Sequence, residues 1–220
     1  MSKPPGPGSG RTHAGVDRWA AGRVLLRAAD PRMAELVDAE PGLDPDRLFD
    51  GLPSDLWGAL VLQVIGQQLS LAAAASILAR LEALHGGRMP TPAELLATDA
   101  ETLRGIGMSR AKAAYLHDLA ARLEDGRLDL GRLRRLDDDA ARTALTEVKG
   151  VGRFTADGAL MLALRRADVW PAADLALRRA VERTWGLDPP SSVEQVDALG
   201  QRFRPWRTLA AAYLYSSARR

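Results

Sequence analysis

The 220-residue chain contains no cysteine. That absence excludes disulfides, cysteine-ligated zinc, iron–sulfur clusters and thiol catalysis, and it fits a reducing compartment such as the cytoplasm. Histidine is almost as scarce: His13, His85 and His117 have no metal-ligand spacing, which argues against a histidine-based metal site. Lysine is scarce too. Of 30 basic residues only Lys3, Lys112 and Lys149 are not arginine. No apolar run reaches membrane-spanning length, no signal-peptide apolar segment precedes the fold, and no membrane partner is expected. Alternating β-branched runs, the mark of strands, are missing as well.

What remains is helix. Leu116, Leu119, Ala120 and Leu123 fall at i, i+3, i+4 and i+7, and Trp57, Leu60, Val61, Val64 and Ile65 form a second such stripe. The pattern predicts helices near 17–28, 31–39, 54–65, 71–84, 92–97, 99–104, 109–124, 139–147, 152–165, 175–185, 193–202 and 206–217. Ser70 and Ser109 are candidate N-caps, Pro31 and Pro92 sit in first turns, and Gly66, Gly86 and Gly186 lie near helix ends. The crossing at 125–138 is expected to be surface chain with a short helical turn, its Asp137-Asp138-Asp139 cluster read as an acidic helix start rather than a metal site. The Pro/Gly-rich residues 1–16 read as a disordered tail. The class is all-α.

Charge speaks for nucleic acid only locally. The net charge is +2, but Gln201 to Arg220 holds five arginines and no acid, which suggests a basic face of the kind a phosphate-backbone binder needs. A second local signal lies in Val148-Lys149-Gly150-Val151-Gly152-Arg153-Phe154-Thr155-Ala156, where one helix ends, a Gly-Val-Gly turn reverses the chain and another helix begins. First-turn amides of such a helix have no internal partner, and the helix dipole is positive there, so the turn can hold a phosphate. Residues 103–113 repeat the pattern around Gly105-Ile106-Gly107. Asp174 follows the second turn by about one helix and sits where an N-cap belongs.

The stretch 145–179 resembles the helix–hairpin–helix DNA glycosylases, and in particular the DNA-3-methyladenine glycosylase II family of alkylation repair. The features are the hairpin, Asp168-Val169-Trp170-Pro171-Ala172-Ala173-Asp174-Leu175-Ala176-Leu177 after it, Ile65-Gly66-Gln67-Gln68-Leu69-Ser70 upstream and Arg204-Pro205-Trp206-Arg207 downstream. The resemblance implies two helical lobes, about 52–166 and 17–51 with 167–220, clasping DNA at a cleft between them.

It further implies a monomer that flips an alkylated purine out of duplex DNA and hydrolyses its N-glycosidic bond. Asp174 would be the catalytic carboxylate and Gln68 the wedge that fills the gap. Gly150, Gly152, Arg153 and Thr155 would contact DNA, and Phe154, Trp170 and Tyr215 would line the base pocket. The carbonyls of Thr146, Val148 and Val151 would hold a Na+ or K+ ion, with no other cofactor required. Trp206 is expected to be structural.

Phe154 stands where bifunctional glycosylase/lyases carry their Schiff-base lysine, so monofunctional chemistry is expected, with a lyase acting through Lys149 as a minor alternative. No extra N-terminal β-rich domain is expected. Some relatives carry an aromatic at the position of Gly158, whose absence is expected to widen the pocket. The competing readings are a non-catalytic helix–hairpin–helix DNA-binding module, in which Asp174 is only a cap, and a helical protein-interaction scaffold.

Overall fold

A computed structural model describes residues 17–47 and 50–218; the expected tail at 1–16 lies outside the described residues. Every described element is helical. The order is α1 (Ala20–Ala29), α2 (Pro31–Ala39), α3 (Leu56–Gly66), α4 (Leu71–Leu84), α5 (Pro92–Ala97), α6 (Ala100–Gly105), α7 (Arg110–Glu124), α8 (Leu130–Arg135), α9 (Asp138–Thr146), α10 (Arg153–Leu162), α11 (Leu175–Trp185), α12 (Val193–Gly200), a 3-10 turn (Gln201–Phe203) and α13 (Arg207–Ser217).

Short polar side chains set most of the starts. Ser70 accepts the Ala73 amide, Ser109 that of Lys112 and Asp137 that of Ala140, while Thr91 with Glu94 and Ser192 with Gln195 form capping boxes. Gly186 closes α11 in the left-handed conformation, with φ +66°. Many boundaries shift by one to three residues from the periodicity, and three of the differences have a visible cause. Helix α1 starts at Ala20 rather than 17, because the Asp17 carboxylate takes the Trp19 amide in a turn. Helix α10 stops at Leu162 rather than 165: Arg165 turns to φ +50°, and the Arg166 amide reaches back to the Leu160 carbonyl. Helix α12 yields to the 3-10 turn after Gly200.

Helix packing falls into two groups. In the first, α3 is central, against α4, α7 and α10, with α5 and α6 on α7 and α9 on α10. Its length explains this: from Leu56 to Ile65 every residue except Gln63 is buried, so α3 has almost no solvent face. The second group joins α1 and α2 to α11, α12, α13 and the 3-10 turn around Trp19, Leu26, Met33, Trp170, Leu177 and Phe203. One hydrophobic cluster runs through both groups.

The Arg-Pro-Trp-Arg segment fastens the return of the chain. Arg207, buried, donates to both carboxylate oxygens of Asp168 at 2.7 and 3.0 Å and to its carbonyl at 2.8 Å. Trp206 packs edge-on to Trp19 at 5.9 Å and lies so close to Gly22 that a Cβ there would stand 2.9 Å from its ring.

This clamp corrects the expected basic face. Arg204 and Arg207 both pair with Asp168, and Arg202 pairs with Asp30 at 2.9 Å, so three of the five arginines are spent on carboxylates within the fold. Arg219 and Arg220 lie outside the described residues.

Candidate functional site

The two Gly-x-Gly turns take different forms. After Gly105-Ile106-Gly107 the next helix is α7, and its first turn is closed by the Ser109 hydroxyl. After Gly150-Val151-Gly152 the next helix is α10, whose N-cap is Gly152 and whose start has no side-chain cap. Among the described residues nothing accepts the amides of Gly150, Gly152 or Arg153. This turn is therefore open to an external anion, where its sibling is sealed.

The two glycines serve differently. Gly150 has φ +79°, and a Cβ on it would stand 2.2 Å from the Tyr115 ring, so only glycine fits. Gly152 has φ −89° and ψ 179°, an ordinary extended conformation, with nothing near its missing Cβ. What it provides is a bare approach to the amides.

Neighbouring elements hold the turn. Asp118 of α7 accepts the Lys149 amide at 2.9 Å, and the Gln67 side-chain amide donates to the Gly150 carbonyl at 2.7 Å and to the Thr155 hydroxyl at 3.1 Å. Thr155 is 2% exposed, so its side chain braces the hairpin from within and does not face a ligand, a second correction. The Lys112 ammonium donates to the Ile65 carbonyl at 2.8 Å, fixing the end of α3. Next comes Gln68, exposed and at φ +58°, a backbone conformation uncommon outside glycine, at the tip of the loop joining α3 to α4.

Between the two helix groups lies a pocket of about 270 Å³. Its wall is apolar, with Leu62, Leu69, Ala74, Met161 and Leu162 among the lining residues, and Phe154, Asp174 and Tyr215 also line it. Helix α10 supplies Phe154, the α11 start supplies Asp174, and α13 supplies Tyr215. Both carboxylate oxygens of Asp174 are engaged: Oδ1 accepts the Ala176 amide at 2.9 Å, and Oδ2 accepts the Tyr215 hydroxyl at 2.5 Å. Burial, and then the Asp174 charge beside it, push the Tyr215 phenol well above its ordinary range, so it stays a donor.

A groove continues from the pocket past Gln68, Ala176 and Arg179. Arg179 is exposed and has no ion pair among the described residues. Sequence reasoning missed it, because one arginine among many carries no local signal. It also missed Gln67, whose partner is 83 residues away.

Trp170 is not in the pocket. It is 1% exposed, donates to the Val196 carbonyl at 2.9 Å and packs on Phe203, with Gly200 making room for its ring. Its expected base contact is corrected to a core role. Nor does Gly158 leave the pocket wide, since the Gln63 carboxamide occupies the space above it.

The family model for HhH-GPD superfamily base excision DNA repair proteins matches residues 61–205, which span the hairpin, Asp174 and most of the pocket wall, though not Tyr215. The chain belongs to this superfamily. Among HhH-GPD relatives it is 30% identical over 159 residues to the alkylbase DNA glycosidase-like protein mag2 of Schizosaccharomyces pombe, covering 71% of this chain and 75% of that one. DNA-3-methyladenine glycosylase 1 of the same yeast is 29% identical over 198 residues, covering 89% of this chain and 86% of its own length. The solved structure of S. pombe 3-methyladenine DNA glycosylase in complex with abasic DNA matches with a TM-score of 0.84 at 28% identity, over 91% of this chain and 98% of that one. In this HhH-GPD chain Gln68, Phe154 and Asp174 line one groove running on from the pocket, and Gln67 ties the loop of Gln68 to the open hairpin.

Proposed function

We propose that this protein is a monofunctional DNA glycosylase that flips alkylated purines of the 3-methyladenine class out of duplex DNA. It hydrolyses their N-glycosidic bond as the first step of base excision repair. The observation that carries this reading is a carboxylate, Asp174, held by two hydrogen bonds at the wall of an apolar pocket beside an uncapped hairpin.

The open amides of Gly150, Gly152 and Arg153 grip a backbone phosphate, with Arg179 and Lys149 adding charge nearby. Gln68, at the loop tip, fills the gap left by the extruded nucleotide. N3- or N7-alkylation makes the purine cationic and a good leaving group. The C1′–N bond breaks with its electron pair going to the base, and an oxocarbenium-like sugar develops. The Asp174 carboxylate stabilises that cation, and water adds to C1′ and gives up a proton, leaving free base and an abasic site. No lysine follows the hairpin to form a Schiff base, since Phe154 stands there.

The cap contact of Asp174 and its catalytic role coexist: one oxygen takes the helix amide, while the tyrosine hydrogen bond aims the group. A Na+ or K+ ion at the hairpin would be held by the carbonyls of Thr146, Val148 and Val151, of which that of Val148 also accepts the Val151 amide at 3.0 Å; it would add charge where a phosphate docks. The DNA lies across the cleft between the two helix groups, which we take as the lobes 52–166 and 17–51 with 167–220. The enzyme acts as a monomer. Among the described residues no helix is long and apolar enough to cross a membrane.

Free-base release from methylated duplex DNA tests this. Wild type should release alkylpurine, and Asp174→Asn should release none while keeping duplex affinity within a few-fold. Tight binding with no release by either protein would instead establish a non-catalytic binding module.

A further inference from the structure

Helix α3 is a buried apolar helix with one polar residue facing its neighbours. Leu60, Val61, Leu62, Val64 and Ile65 are at most 3% exposed, and Gln63 interrupts them. Its carboxamide lies flat against the backbone of α10. Cδ, Nε2 and Oε1 stand 2.5, 2.5 and 2.6 Å from where a Cβ on residue 158 would be, so the group occupies the room that Gly158 leaves. Both residues line the pocket.

No described residue gives the Gln63 amide a hydrogen bond, although the side chain is half-buried. The amide sits at the pocket wall without a protein partner, so its two donors and one acceptor are an unused set open to a ligand. The other polar atoms of the pocket wall are already committed: Asp174 and Tyr215 bond to one another. An otherwise apolar wall selects by size, while a placed polar group selects by hydrogen-bond pattern.

Resting on the glycosylase reading above, we infer that Gln63 is a specificity-determining residue that reads the N6/N7 edge of an extruded 3-alkyladenine. A glutamine amide offers a donor beside an acceptor, the complement of adenine's N7 acceptor beside its N6 amino donor. Methylation at N3 leaves that edge intact. In 7-methylguanine the N7 acceptor is lost to the methyl group and O6 only accepts, so the amide meets a mismatched edge. The pocket therefore favours the adenine lesion.

The test uses the full chain and duplex DNA methylated with dimethyl sulfate, which carries both 3-methyladenine and 7-methylguanine. Initial release of the two bases is followed in one reaction, so their ratio reads relative selectivity directly. Gln63→Leu keeps the side-chain bulk on Gly158 and removes the hydrogen-bonding atoms. It should lower the ratio of 3-methyladenine to 7-methylguanine about tenfold, the size of one bidentate contact.

Gly158→Ala leaves Gln63 in place but pushes its amide aside, and alanine is the better helix former, so this variant folds. It should lower the ratio in the same direction. A ratio unchanged in both variants, or both bases falling in proportion, would overturn the assignment, as would a wild type that releases 7-methylguanine but not 3-methyladenine. A wild type that releases neither base would sink the glycosylase reading itself, a separable result.

Discussion

At the scale of single residues the centre of the site is a pair, Asp174 and Tyr215, joined at 2.5 Å. A hydrogen bond to a carboxylate is worth about 1.5–3 kcal/mol when the partner is removed. Tyr215→Phe keeps the ring in the pocket wall and removes only that bond, so single-turnover excision should slow by about ten- to a hundredfold with little change in duplex affinity. Because burial and the adjacent charge both raise the phenol well above its ordinary range, Tyr215 stays protonated where a free phenol would begin to ionise, and wild type should show no alkaline fall assignable to it there. An unaltered rate in the phenylalanine variant would leave Tyr215 a wall residue only. The same pair shows what one sequence can hide. Asp174 is legible twice, as a cap and through the family likeness. Its tie to a residue 41 positions away exists only once α11 and α13 pack. Trp170 makes the converse point: a tryptophan bound for the core and one bound for a base look alike until the fold places them.

At the scale of elements, capping chemistry explains why so much of the helix order was legible. Ser70, Thr91, Ser109, Asp137 and Ser192 each mark a start in the chain itself. Ends were less legible, because Leu162 and Gly200 finish their helices through backbone turns set by neighbours. The contrast between the sealed start of α7 and the bare start of α10 yields a prediction with two opposed readouts. Aspartate is a strong N-cap, so Gly152→Asp should leave thermal stability unchanged or slightly higher. The same carboxylate would occupy the open amides and repel a phosphate, so on the proposed function the dissociation constant for duplex DNA of any sequence should rise by about tenfold. Lower affinity without lower stability would separate a ligand-binding helix start from one that merely folds; unchanged affinity would mean that the hairpin is not the phosphate grip.

At the scale of the whole molecule, charge is arranged by subtraction. Arg202, Arg204 and Arg207 are tied to Asp30 and Asp168 and stabilise the return of the chain, while Arg179 lines the groove by the pocket with no ion pair among the described residues. Duplex affinity should therefore fall with salt along a shallow slope for so arginine-rich a chain. Arg179→Ala should reduce that slope by about one unit of log affinity per log salt. Fluorescence anisotropy titrations across salt concentrations would show it, and an unchanged slope would place Arg179 off the DNA path.

The Gln67 amide joins the loop that ends in Gln68 to the turn that carries Gly150, with a 2.7 Å bond across 83 residues of chain. It works as a spacer bar. If the turn seats on a phosphate and Gln68 enters the base stack, as proposed, the insertion point lies at one fixed offset along the strand. On the proposed function, this bond would give the molecule a ruler of set length along DNA, its register fixed by a single side-chain amide.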